Sequence, residues 1–386
     1  MRSIYFDHSG TTPVHPAVAE EMYRSLTGDN FGNPSSIHQF GLQIRKKVME
    51  AREKVALALG ADAGEIVFTS GGTEADNMAI HGAAQANKNK GNHIITSAVE
   101  HHAVLNAVKA LGKAGFDITI LPVDQYGMVS VDDVAAAITD KTILITIMHA
   151  NNEVGTIMPA DEIGRLARER KIIFHVDAVQ SFGKILVNVE DLGADLLTLS
   201  GHKIYGPKGA GVLYIRKGTR WRQSLFHGGA QERLRRAGTE NIPGIMGLAK
   251  AVELTMENRE TESARLISLR DKIIWGLTSM EDVRLTGHPI RRLPNHASFL
   301  FKYIEGESML LSLDMKGIAA STGSACTTGS LEPSHVLTAM GVSPEDAHGS
   351  LRITLGKDNN EGDIDYFLEV IKPIVEKLRD MSPLKD

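Results

Sequence analysis

The chain has 386 residues, of which 42% are hydrophobic and 23% charged, and its formal net charge is −5. This is ordinary globular composition, which excludes wholesale disorder and a coiled coil. Charge this close to neutral also excludes a general nucleic-acid binder, which needs a concentrated basic footprint.

The first dozen residues, opening MRSIYFDHSGTTP, show no apolar secretory core. They are expected to join the C-terminal part of the chain. From about 15 to 255 short apolar runs alternate with helical stretches. Strands are predicted over 65–69, 93–96, 117–121, 142–147, 172–176, 196–199 and 211–215, and helices over 75–87, 103–114, 131–138 and 163–170. Most strands are rich in Ile, Val and Leu without polar alternation, the pattern of a parallel sheet buried on both faces. The β–α rhythm predicts a doubly wound α/β domain over 15–255. A smaller α+β domain is predicted from 1–14 with 256–386. A long helix over 245–277 leads into it, with strands over 297–301 and 352–355. In the last helix Ile364, Phe367, Leu368, Ile371, Val375 and Leu378 recur at helical spacing, and Pro373 is expected to kink or end it early. The segment 319–330, AASTGSACTTGS, holds almost only small residues and predicts a mobile loop. No apolar run reaches the ~18 residues of a membrane helix, so a cytoplasmic protein without membrane contact is expected.

Four segments carry candidate chemistry. Ser70-Gly71-Gly72-Thr73-Glu74 stands between a strand and a helix, where backbone N–H groups and the helix dipole attract an anion. It reads either as a phosphate cradle, with Thr73 capping the helix, or as a plain helix-opening turn. Asp177 ends an apolar strand, the edge at which open α/β sheets bind ligands. It reads as the partner of a heterocyclic N–H⁺ or as a helix cap. Lys203 follows a buried strand in Ser200-Gly201-His202-Lys203 and reads as a Schiff-base lysine or a snorkelling surface charge. Cys326 is the single cysteine, so no internal disulfide forms and a reducing compartment is implied. Its neighbours are too small for a core thiol, which favours an exposed nucleophile. Residues 216–236 hold seven basic residues and one acid, and read as a solvated face or as a site for a phosphate or acidic partner. His101, Asn152 and Arg352 are weaker candidates, each with an ordinary structural role as the alternative. Together an anion cradle, an acid at a strand end and a lysine for an aldehyde are the partners that pyridoxal phosphate needs.

The ordered motifs SGGTEADN, VEHHAV, HANNEVG, HVDAVQS, SGHKIYGPKG, GGAQERLRRAGT and STGSACTTGSLEPSHVL resemble the cysteine desulfurases of the NifS/IscS type, which are class V, fold-type I pyridoxal-phosphate enzymes. The resemblance runs from Asp7 to about Leu355. It implies a mainly parallel seven-stranded sheet, a small domain made from both termini, and conversion of L-cysteine to L-alanine with the sulfur held as a persulfide on Cys326. By matching position, Lys203 carries the cofactor, Asp177 pairs with its ring nitrogen and His101 stacks on the ring. Asn152 and Gln180 reach its phenolic oxygen. Gly72, Thr73, Ser200 and His202 hold the phosphate, joined by Thr239 from a second subunit, which implies a homodimer. Arg352 clamps the substrate carboxylate, helped by Asn33, with Asn152 also near the substrate. Gly72 stands where the family commonly has alanine, and His102 follows His101 where the family often has another residue.

The resemblance further implies delivery of sulfur from a long, small-residue loop to an iron–sulfur scaffold or another acceptor. No permanent metal is expected, although Cys326 could lend a ligand to a transient cluster. Selenocysteine lyase, cysteine-sulfinate lyase and aminotransferase are the alternative activities on the same scaffold.

Overall fold

The structure, a computed structural model, describes residues 3–28, 30–222, 225–323 and 333–382. Its strands among these residues are β1 (Ile4–Tyr5), β2 (Ile66–Thr69), β3 (His93–Ser97), β4 (Asp117–Leu121), β5 (Thr142–Thr146) and β6 (Ile173–Asp177). They continue with β7 (Leu196–Ser200), β8 (Gly211–Ile215), β9 (Val283–Thr286), β10 (His296–Phe301), β11 (Ile318–Ala319) and β12 (Ser350–Thr354).

Seven strands form one sheet in the order β2-β8-β7-β6-β5-β3-β4. Strand β8 runs antiparallel to both its neighbours and the other pairings are parallel. The apolar runs follow from burial on both faces. Along β8, Val212 and Tyr214 enter one core cluster while Leu213 and Ile215 enter the cluster on the opposite face. Helices Gln39–Leu59 and Ile242–Thr278 contribute to the first, and helices Gly72–Asn87 and His102–Lys113 to the second. A third cluster lies around the antiparallel sheet β12-β10-β9 and the last helix, Glu361–Met381. Helix Ile242–Thr278 ties the first and third together, its Ile245–Val252 stretch packing in one and Leu266, Leu269, Ile273 and Leu277 in the other.

The N-terminal residues pair with late ones: β1 lies parallel to β11, and Asp7 bridges Thr354. Strands β1, β9 and β11 escape sequence periodicity because they are only two to four residues long. Pro373 neither ends nor splits the last helix, which runs on to Met381. Pro373 and Glu369, whose carbonyl loses its donor, are both exposed, so water can serve that carbonyl, while Ile364, Phe367, Ile371 and Val375 hold the opposite face in the core.

Candidate active site

All strands of the large sheet except β8 point their carboxyl ends to one edge, and the segments leaving that edge converge. They enclose a cavity of about 410 Å³ lined by Gly72, Thr73, His101, Asn152, Asp177, Gln180, Ser200, His202, Lys203 and Arg352, within the usual range of small-ligand sites. The N-terminal turn Asp7–Gly10 closes the cavity through Asp7, Ser9 and Gly10.

The helix Gly72–Asn87 starts earlier than its apolar pattern implies, so Thr73 lies in its first turn and is not its cap. The cap is Gly71, at φ 154° and ψ −176°, and it provides no side-chain acceptor for the first N–H groups. Glu74 accepts from the Ser70 N–H at 3.0 Å and from Arg236 at 2.8 Å, and these contacts hold its carboxyl below its usual range despite burial. A Cβ at Gly211 would sit 2.6 Å from the Gly71 Cα. The cradle therefore lies directly on a bare backbone in β8. Free first-turn N–H groups, together with Ser200 and His202, suit a phosphate.

Asp177 is buried, and its Oδ1 accepts the Val179 N–H at 2.9 Å. Burial pushes its pKa up, opposed by the Val179 N–H and the charge of Lys203. Lys203 lies in the short turn after β7, and its Nζ donates to the carbonyls of Ser9 at 2.5 Å and Gly10 at 2.6 Å. An enclosed lysine, a buried acid and an uncapped helix terminus around one cavity fit pyridoxal phosphate. Ser9 Oγ and Asp76 Oδ1, buried on residues of the same lining, have no hydrogen-bond partner among the described residues.

His101 caps the helix His102–Lys113, its Nδ1 accepting the Ala103 N–H at 3.1 Å. Burial, with Lys203, His102 and His335 nearby, pulls its pKa down to about 4. The ring is therefore neutral at physiological pH. His202 also falls to about 4, mainly through desolvation, and its Nδ1 lies 3.2 Å from Thr11 Oγ1. In the Asn151–Asn152 pair the roles divide. Asn151 is structural, accepting the N–H groups of Glu153 and Val154, whereas Asn152 lines the cavity. Arg352, on β12 and 2% exposed, donates to the Asn152 carbonyl at 3.2 Å and to Asp7 Oδ1 at 2.8 Å.

Some predicted residues lie elsewhere. Asn33 is exposed, outside the lining, and its Oδ1 accepts the Ser35 N–H at 2.8 Å. Thr239 lines a separate surface pocket beside Ser70 and Arg236. Cys326 lies outside the described residues, as does most of the segment 319–330. The basic stretch 216–236 is not one free face. Arg216 pairs with Glu190 and Asp195, and Arg236 with Glu74, so its charge is partly spent inside the chain. Asp7, Ser9, Gly10 and Asp76 enter the lining without having been anticipated. The only sequence signal was their position in the motifs DHSGTTP and SGGTEADN.

The fold and this cavity define a fold-type I pyridoxal-phosphate enzyme. The family described as class-V aminotransferase matches residues 4–367. A cysteine desulfurase IscS of Methanosarcina thermophila is 56% identical over 383 residues, covering 99% of this chain and 94% of that protein. One from Clostridium botulinum is 54% identical, covering 99% and 97%. Among solved structures, a NifS-like protein superposes with a TM-score of 0.92 at 39% identity, covering 98% of this chain and 100% of that one. SspA in complex with cysteine superposes at 0.81 with 38% identity, covering 92% and 99%. The chain belongs to the class-V aminotransferase family and, within it, to the pyridoxal-phosphate-dependent cysteine desulfurases.

Proposed function

We propose that this cavity carries the conversion of L-cysteine to L-alanine, with sulfur leaving by way of Cys326. The observation that carries the reading is the meeting of Lys203, Asp177, His101 and Arg352 around one cavity at the carboxyl edge of the sheet. Bound there, pyridoxal phosphate supplies an electron sink that loosens the substrate's α-proton and its bond to sulfur.

The chain's own residues do the rest. Lys203 would hold the cofactor covalently, and its amine would move the substrate's α-proton. The Ser9 and Gly10 carbonyls keep that amine at the cavity wall. Asp177 is held as the acceptor for the ring N–H⁺. Neutral His101 would stack on the ring and exchange protons without adding charge. Gly72, Thr73, Ser200 and His202 bind the phosphate, and Thr239 reaches the same phosphate from a second copy of the chain. Asn152 and Gln180 meet the phenolic oxygen. Arg352 takes the substrate carboxylate, and Asn33, exposed and outside the lining described above, is its proposed helper. Cys326 attacks the substrate sulfur as a thiolate and keeps it as a persulfide, and alanine departs.

The sulfur then passes to an acceptor, for which an iron–sulfur scaffold protein is the proposed recipient. The working form is a homodimer in the cytoplasm. Residues 15–255 form the cofactor-binding domain, and 1–14 with 256–386 the smaller domain that bears the cysteine segment. Among the described residues no helix is long and apolar enough to cross a membrane.

Alanine and sulfide release from L-cysteine, measured with a thiol reductant on wild type and Cys326→Ala, tests this reading. Equal yields from wild type, with sulfide release lost in a Cys326→Ala protein that keeps its cofactor absorbance, support it. Undiminished release from Cys326→Ala would transfer the chain to the lyases.

A further inference from the structure

The turn after β6 contains an ion that the reaction does not use. Gly183, at φ +81°, reverses the chain; a Cβ there would lie 2.5 Å from Thr255 Cγ2 and 2.9 Å from Ile204 Cγ2. The reversal brings Lys184 back onto Gln180. Lys184 Nζ donates to the Gln180 carbonyl at 2.8 Å and to its side-chain Oε1 at 3.0 Å. Gln180 Nε2 donates at 3.0 Å to the Ser9 carbonyl, which also accepts from Lys203. The Ser263 hydroxyl closes the turn by donating to the Lys184 carbonyl at 2.6 Å.

A carboxamide has an acceptor end and a donor end of nearly equal shape, so its neighbours decide which end faces a ligand. An ammonium offers only donors. Beside Lys184 the amide oxygen is held on the Lys184 side, and Nε2 is left for Ser9 and the cavity. We propose that Lys184 is a positioning residue that orients the Gln180 carboxamide, so that the site presents an N–H, rather than a carbonyl, to the phenolic oxygen of the cofactor. This rests on the reading of Gln180 given above. Desolvation and the nearby charge of Lys203 pull the Lys184 pKa down to about 7, so Nζ acts on the amide as a donor-only group below that pH.

The test follows the pH midpoint of the holoenzyme's cofactor absorbance change. A donor to the phenolic oxygen favours its ionised form, so loss of that donor raises the midpoint. Lys184→Met and Gln180→Leu are each expected to raise it by about one pH unit. The double variant is expected to go no further, and Lys184→Arg, which keeps a donor, to remain near wild type. The double variant matters because removing the Lys184 charge also shifts the midpoint electrostatically. An effect of charge alone would add to that of Gln180→Leu, whereas loss of an orienting contact would not. An unmoved midpoint in Lys184→Met beside a raised one in Gln180→Leu, or additive shifts in the double, overturns the proposal. An unmoved midpoint in Gln180→Leu removes the reading of Gln180 itself and this inference with it. Should Lys184→Met fail to fold, Lys184→Gln, which can both donate and accept, is expected to raise the midpoint. No rise there overturns the proposal.

Discussion

Arg352 Nη2 donates to Oδ1 of Asp7 at 2.8 Å, joining residues 345 positions apart. The arginine is 2% exposed, its Nε has no hydrogen-bond partner among the described residues, and Asp7 is the carboxylate paired with it. Asp7 is itself fixed by close packing, since a Cβ on Gly10 would lie 2.3 Å from its Oδ2. Breaking a buried pair costs about 3–5 kcal/mol. The Asp7 side chain keeps 24% of its exposure, so Asp7→Asn is expected to lose less, about 1–2 kcal/mol. Urea unfolding checks this through a lower midpoint at unchanged slope. Arg352→Lys keeps the charge without the planar fork, and its KM for L-cysteine is expected to rise at least about tenfold with a smaller change in kcat.

The covalent role of Lys203 has a direct chemical check. Borohydride reduction of the holoenzyme followed by peptide mass mapping is expected to find the cofactor on the peptide containing Lys203. Lys203→Ala is expected to lose its absorbance on gel filtration. A label on Lys184, or on no lysine, would contradict the assignment.

The phosphate cradle depends on two glycines to different degrees. A Cβ at Gly72 would crowd Val179 Cγ2 at 3.0 Å, a side-chain atom that can move, and would meet Ser200 Cβ and Thr198 Cγ2 at ordinary van der Waals distance. A Cβ at Gly211 meets the Gly71 backbone at 2.6 Å, and that backbone is the cradle. Gly211→Ala is therefore expected to weaken cofactor binding about tenfold or more, against less than threefold for Gly72→Ala, an energy gap of about 0.7 kcal/mol or more. Fluorescence titration of the apoenzyme with pyridoxal phosphate measures both.

Glu153 is buried. Its Oε2 accepts from Ser334 Oγ at 2.5 Å, and Arg352 is close by. Burial raises its pKa from 4.5 to about 7, against the opposing pull of Ser334 and Arg352. The folded state holds a proton that the unfolded chain releases between these values, so stability falls as pH rises through that window. Glu153→Gln keeps an acceptor for Ser334 and cannot ionise. It is expected to be more stable than wild type at pH 8 by about 3 kcal/mol, with the difference vanishing near pH 4. Thermal unfolding across that range decides it. A constant difference at every pH would mean that Glu153 ionises as freely in the fold as out of it.

The features legible in the sequence are those that local pattern controls. Strand β8 announced itself as an apolar run because both of its faces are covered. Asp177 and Lys203 could be placed because each directly follows such a run. Thr73 is not the cap because the helix begins at Gly72, and Gly71, which stands at the cap position, leaves the first N–H groups without a side-chain acceptor. The early helix end expected at Pro373 does not occur, because its cost depends on whether the orphaned carbonyl faces water, which only the packed helix reveals.

The parallel sheet, the carboxyl edge at which chemistry gathers and the motif order that marks the family are all written in local stretches of residues. These depend on periodicity and burial over a few residues, which each segment carries in its own side chains. Three contacts emerge only on folding: Asp7 pairs with Arg352, the Ser9 and Gly10 carbonyls hold Lys203, and Lys184 donates to the Gln180 amide oxygen. The first two bring together residues nearly the whole chain or half of it apart. The third depends on a reversal at Gly183 that helix Ile242–Thr278 and Ile204 leave room for only without a side chain. Hydrogen bonds and ion pairs form over a few ångströms, and separation along the chain carries no information about which groups come that close until the core has packed.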